Sequence, residues 1–161
     1  MGLDRPNERP AGRGEAWFAG QMALLAAIAL APRRLPGLPE WPAWAARPSQ
    51  IAGLLLGAVG GLVALAGART LGPNLTPFPR PRDEGALVQD GVYKLVRHPI
   101  YAGLLLGALG WSLLRRSFPA LVLALVLALF FDRKARREEV WLLEKFPEYA
   151  EYRARVRRRV F

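Results

Sequence analysis

The sequence predicts an all-α, polytopic membrane protein of about four transmembrane helices, the last two forming a hairpin, with short amphipathic helices after them. Three observations predict it. Apolar residues make up 52% of the 161 residues, yet the formal net charge is +10. The apolar residues gather in long runs, and the charges collect between and after those runs. Basic loops beside anionic lipid headgroups require that division, whereas nucleic-acid modules spread their basic residues over a folded surface. The expected partner is therefore the lipid bilayer, not nucleic acid. The length fits a single domain over residues 1–161.

Residues 1–15 mix proline, arginine and acids, the composition of a flexible lead. The first apolar run, 17–31, is followed by Pro32-Arg33-Arg34 rather than a small-residue cleavage pattern, and it is expected to be a retained span. The second, 51–68, is uncharged and close to the ~20 residues a bilayer requires. A proline-rich polar stretch from Arg69 to about Asp90 follows. The apolar region from Ile100 to Phe131 is interrupted by Arg115-Arg116 and Pro119. As one helix it would reach roughly 48 Å, well beyond a ~30 Å hydrocarbon core, and would bury two arginines in it. A hairpin with arms at 100–114 and 117–131 avoids both.

With four spans, Arg33, Arg34, Arg47, Arg115 and Arg116 lie on one side and the other 18 of the 23 Lys and Arg on the opposite side. The positive-inside rule then puts both termini in the cytoplasm. Glycines recur at four-residue spacing, Gly53/Gly57/Gly61 and Gly103/Gly107, which predicts close helix contact.

Two clusters carry chemistry. The first, Gly91-Val92-Tyr93-Lys94-Leu95-Val96-Arg97-His98-Pro99-Ile100-Tyr101-Ala102-Gly103, starts the third span at the cytoplasmic interface. Pro99 suits a first helical turn, and the positive end of the helix favours an anionic group such as a carboxylate. These residue types also serve as interfacial anchors. The second is Asp132-Arg133-Lys134-Ala135-Arg136-Arg137-Glu138-Glu139, where acids can be ordinary helical salt-bridge partners. A hairpin returns to the side it left, so Arg97-His98 and Glu138-Glu139 are expected to face each other and to hold a small zwitterionic cofactor. The chain lacks cysteine and has one histidine, which leaves no thiolate and no histidine cluster, so no metal is expected. The rest of the tail reads as two short amphipathic helices, Pro147 opening the second, with the last arginines on phospholipid headgroups.

The pattern Gly91-x-Tyr93-x-x-x-Arg97-His98-Pro99-x-Tyr101-x-Gly103 resembles the signature of the isoprenylcysteine carboxyl methyltransferase-like and phospholipid methyltransferase families. Glu138-Glu139-x-x-Leu142 and Phe146-x-x-Tyr149-x-x-Tyr152 resemble their second block, so the likeness covers 87–161. Pro147 departs from it, standing where relatives often have glycine. The resemblance implies an integral membrane enzyme that transfers a methyl group from S-adenosylmethionine to a lipid-like or prenylated carboxylate or amine. It implies a cofactor pocket formed by Tyr93, Arg97, His98, Pro99 and Tyr101 with backbone near Leu95, and Glu138 and Glu139 at the polar end of the cofactor. An ionised carboxylate acceptor needs no general base; an amine needs one, with Glu139, the expected catalytic residue, or a water as proton acceptor. The alternatives are a non-catalytic membrane assembly factor with the same fold and an NADPH-dependent reductase. No G-x-G-x-x-G fingerprint supports the reductase.

Overall fold

The computed structural model describes residues 14–37, 39–78, 80–81 and 84–160. Most of the expected flexible lead, 1–13, lies outside the described residues. Among the described residues there are five α-helices: α1 Glu15–Leu30, α2 Ala46–Leu71, α3 Pro99–Arg115, α4 Phe118–Lys145 and α5 Tyr149–Arg155. No strand occurs among the described residues.

Local chemistry sets the ends. Pro99 occupies the first turn of α3, where its missing N–H costs nothing. Arg116 closes α3 in the left-handed conformation, φ 53°, which reverses the chain. Ser117 then caps α4, its Oγ accepting from the Ala120 N–H at 3.2 Å and donating to the Pro32 carbonyl at 2.6 Å. That second bond ties the hairpin turn to the loop after α1.

α2 lies along α3 in the most intimate contact of the bundle, and α4 packs on α1 and α3. The glycines explain the closeness at Gly53, Gly60, Gly103 and Gly110, of which the four-residue spacing picks out Gly53 and Gly103. A Cβ on Gly53 would lie 2.6 Å from the Gly110 carbonyl, and one on Gly60 2.6 Å from that of Gly103. Gly57, Gly61 and Gly107 have nothing within 4 Å. The contact therefore runs on the seven-residue row Gly53/Gly60/Gly67, because residues two turns apart recur on one side of a helix. Ile28, Leu105, Ala124, Leu127 and Phe131 fill the core between α1, α3 and α4.

Among the described residues one segment, Ala43–Asn74, is long and apolar enough to cross a membrane; α1 and α3 are apolar but shorter. α4 does not stop at 131. It runs on unbroken through Lys145, so 140–145, expected as part of a separate amphipathic helix, belongs with 132–139 to the charged second half of α4. Outside, Leu54, Leu55, Leu62, Leu125 and Leu129 are exposed, an apolar exterior that calls for an apolar surrounding or partner.

Candidate functional site

The start of α3 and the charged half of α4 meet at one end of the bundle. Glu139 Oε1 lies 2.9 Å from Arg97 Nε, 3.3 Å from His98 Nε2 and 3.2 Å from Arg159 Nε. One buried carboxylate oxygen thus gathers three cationic or potentially cationic groups. Burial by itself would raise the Glu139 carboxyl, but the hydrogen bonds and charges of His98 and Arg97 outweigh it and hold the pKa at about 2. Glu138, one residue earlier, accepts a 2.8 Å hydrogen bond from Tyr101 Oη and lies 3.7 Å from His98 Nδ1.

The tail beyond α5 completes the arrangement. Arg97 Nη1 donates to the carbonyls of Val156 at 2.6 Å and Arg157 at 3.0 Å. The backbone N–H groups of Arg97 and His98 donate to the carbonyls of Arg158 and Arg159. Arg159 also reaches Asp132 at 2.9 Å. Residues 156–159 are therefore a clamp on the start of α3, where the sequence pointed to a strip facing headgroups. Tyr152 Oη holds the Tyr93 carbonyl at 2.7 Å. Burial, then the Glu138 charge, push the Tyr93 phenol up, so it stays neutral.

Arg97 and His98, which the clamp holds, line a cavity of about 380 Å³. Its polar wall holds Tyr93, Arg97, His98, Tyr101, Lys134 and Glu138; Leu71, Leu75, Pro77, Phe78 and Leu142 line the apolar remainder. Tyr101 is stacked between His98 (5.4 Å, 1° between planes) and Phe131 (4.8 Å, 6°). Of the residues expected in a cofactor pocket, five therefore line the cavity: Tyr93, Arg97, His98, Tyr101 and Glu138. Three do not. Leu95 points outward, 71% exposed. Pro99 is buried in the first turn of α3 and meets the Gly67 side of α2. Glu139, the expected catalytic acceptor, stands behind the wall, 3% exposed, with its charge committed to Arg97, His98 and Arg159.

Three cavity residues were not singled out from the sequence. Lys134 Nζ donates to Gln21 Oε1 of α1 at 2.6 Å and lies 5.0 Å over the Tyr101 ring. Burial lowers its pKa against the opposing pull of Glu138. Tyr149 lines the cavity with a buried hydroxyl that has no hydrogen-bond partner. A helical signal existed for Lys134: Lys134, Glu138 and Leu142 are four apart and share one face. Gln21 had none, because its place depends on how α1 docks.

The pocket has the chemistry a zwitterionic ligand needs. An anionic acceptor (Glu138), cations (Lys134, Arg97) and an unpaired buried donor (Tyr149 Oη) share the lining with apolar side chains. Those features define, among the described residues, an all-helical fold, with one helix long and apolar enough to cross a membrane, that carries a partly polar cavity at one end.

The comparisons with known proteins sharpen that class. The sequence profile described as phospholipid methyltransferase matches residues 48–149, and the chain belongs to this family. The cobalt-zinc-cadmium resistance protein CzcN of Cupriavidus metallidurans is 43% identical over 76 residues, 47% of this chain and 35% of that protein. The protein-S-isoprenylcysteine O-methyltransferase of Schizosaccharomyces pombe is 42% identical over 72 residues, 44% of this chain and 30% of that protein. The chain spans about a third of the length of these two relatives. In fold it is similar to the solved eukaryotic intramembrane Ras methyltransferase ICMT, with a TM-score of 0.60 at 21% identity over 92% of this chain and 67% of that one.

Proposed function

We propose that the chain is an integral membrane methyltransferase that binds S-adenosylmethionine in the cavity between α3 and α4 and methylates a lipophilic carboxylate, of which a prenylated cysteine is the leading example. The observation that carries the reading is the paired-carboxylate arrangement. Glu138 faces the cavity, held by Tyr101 and His98, while Glu139 behind it fixes Arg97, His98 and Arg159. The names of the Schizosaccharomyces pombe relative and of the structural neighbour support the acceptor class. The apolar exterior supports the membrane setting, and the charge distribution supports cytoplasmic termini.

S-adenosylmethionine, when bound, supplies an electrophilic methyl group on a sulfonium. The protein then has to position and to balance charge. Glu138 is placed to receive the cationic amino group or to face the sulfonium, and Tyr149 Oη and Lys134 to receive a carboxylate. Tyr101, clamped between His98 and Phe131, keeps the Glu138 carboxylate in one orientation. An ionised acceptor carboxylate gives up no proton, so this chemistry asks for no general base. With an amine acceptor Glu138, not Glu139, is the carboxylate within reach, because it alone of the two lines the cavity. Glu139 is a positioning residue.

The test is transfer of labelled methyl from S-adenosylmethionine to N-acetyl-S-farnesylcysteine by purified protein in lipid nanodiscs. Base-labile label on the cysteine carboxyl is expected from wild type and lost in Glu138→Gln. Absence of label with well-folded wild type refutes the acceptor assignment. If cofactor binding is also absent, the non-catalytic membrane factor takes its place.

A further inference from the structure

A second cavity, of about 700 Å³, lies at the opposite end of the bundle, where the loop after α1 meets the α3–α4 turn. Arg33, Arg34, Arg115 and Arg116 line it, with Glu40 the single acid among them. Glu40 pairs with Arg34 at 3.2 Å in an exposed contact. Among the described residues, Arg33, Arg115 and Arg116 have no acidic partner. Two buried donors in the same lining have no hydrogen-bond partner at all, Trp41 Nε1 and Arg115 Nε. Leaving one such N–H unpaired in a protein interior is costly; two of them beside one cavity point to an acceptor that both can reach. Three unpaired guanidinium groups specify an anion, and arginine's planar fork favours a phosphate.

The surroundings say where that phosphate comes from. Trp111 lies beneath Arg115, 5.7 Å from its Cζ, and Trp111 also lines an apolar groove between α1, α2 and α3. Gly57, Gly61 and Gly107 line the groove, three glycines where an added Cβ meets nothing within 4 Å. A cationic cradle thus continues, through one tryptophan, into an open apolar channel. We propose that the far end of the bundle binds one anionic phospholipid, its phosphate among Arg33, Arg115, Arg116 and Trp41 Nε1 and one acyl chain along the Gly57/Gly61/Gly107 groove. The site is separate from the proposed methyl-transfer cavity. It rests on the membrane reading of the fold but not on catalysis. It also gives a reason for arginines on the side where the positive-inside rule makes them scarce.

Native mass spectrometry of the full chain, titrated in neutral detergent with dioleoyl phosphatidylglycerol, tests the proposal. One phosphatidylglycerol should bind at least tenfold tighter than dioleoyl phosphatidylcholine. The double variant Arg33→Gln/Arg115→Gln should lose about tenfold. Trp41→Phe, which keeps a ring against Phe118 (4.9 Å in the wild type) but removes the donor, should lose several-fold while leaving the fold intact. Gly107→Leu should weaken the lipid and leave competition by inorganic phosphate unchanged. Arg47→Gln removes an exposed charge outside the cavity lining and should change nothing. Equal binding by wild type and by the double and Trp41→Phe variants overturns the proposal, as does an equal loss in Arg47→Gln, which would mean diffuse charge attraction. Inorganic phosphate binding as tightly as the lipid overturns the lipid assignment.

Discussion

Replacing Glu139 with glutamine removes one charge from a nearly isosteric side chain, and the geometry sets the size of the effect. Its Oε1 is the common partner of Arg97, His98 and Arg159, at 2.9, 3.3 and 3.2 Å. A carboxyl held at about 2 instead of its ordinary 4.5 corresponds to about 3 kcal/mol of folding stability at neutral pH. Removing one partner of a buried ion pair typically costs about 3–5 kcal/mol. The sign follows from the depressed folded-state value. Stability is fully present above the ordinary carboxyl range and is lost as pH falls from about 4.5 towards about 2. The assay is reversible unfolding in mixed micelles followed by tryptophan fluorescence, at pH 7 and over an acid series. Hydrogen exchange at the Arg97 and His98 amides serves as a local probe, since tail carbonyls hold both. Wild type should lose about 3 kcal/mol more than Glu139→Gln across the acid range, and the variant's two amides should exchange faster at pH 7. Identical stability, acid profiles and exchange would refute the reasoning that Glu139 organises the clamp.

Other consequences follow from the same geometry. Gly103→Ala puts a methyl 2.5 Å from the Gly60 carbonyl and 2.6 Å from the Ala64 N, so α2 and α3 must part. A loss of about 1–3 kcal/mol is expected, whereas Gly57→Ala, with open space at its Cβ, should be near neutral in the same unfolding assay. Deleting residues 157–161 removes the carbonyls of Arg157, Arg158 and Arg159 that accept from Arg97 and His98; S-adenosylmethionine affinity should fall at least tenfold by calorimetry while far-ultraviolet circular dichroism stays helical. Lys134→Met, which keeps the apolar stem against Tyr101 but loses the charge, should weaken S-adenosylmethionine binding about tenfold or more, as read by calorimetry.

Much of the arrangement was legible because it is local or topological. The Arg115–Pro119 interruption marked a turn, and a hairpin brings its two outer ends together, so Arg97-His98 and Glu138-Glu139 could be paired before any coordinates. What escaped is what side-chain identity does not encode. Apart from the Arg159 guanidinium, the clamp by residues 156–159 acts through backbone carbonyls, which every residue possesses, so a run of arginines read as a strip for headgroups. Which of two adjacent glutamates faces the cavity is a question of helical phase. The row Lys134/Glu138/Leu142 against Phe131/Ala135/Glu139 answers it only once the cavity side of α4 is known. The glycine rows included Gly53 and Gly103 but missed Gly60, Gly67 and Gly110 for a related reason. Four-residue spacing was the conspicuous pattern, but the face of α2 turned to α3 recurs every seven residues. Helix continuity from 118 to 145 was masked by the abrupt change from apolar to charged at Asp132, a change of surroundings and not of backbone.

The most direct test of the central claim is calorimetric titration of S-adenosylmethionine into the purified protein in lipid nanodiscs, with Glu138→Gln and Tyr149→Phe beside wild type. The account predicts saturable binding at one site per chain, weakened about tenfold or more by Glu138→Gln and several-fold by Tyr149→Phe, which removes a hydroxyl with no partner inside the protein. No binding by folded wild type, or equal affinity in all three proteins, would contradict the claim that the cavity between α3 and α4 is the cofactor site.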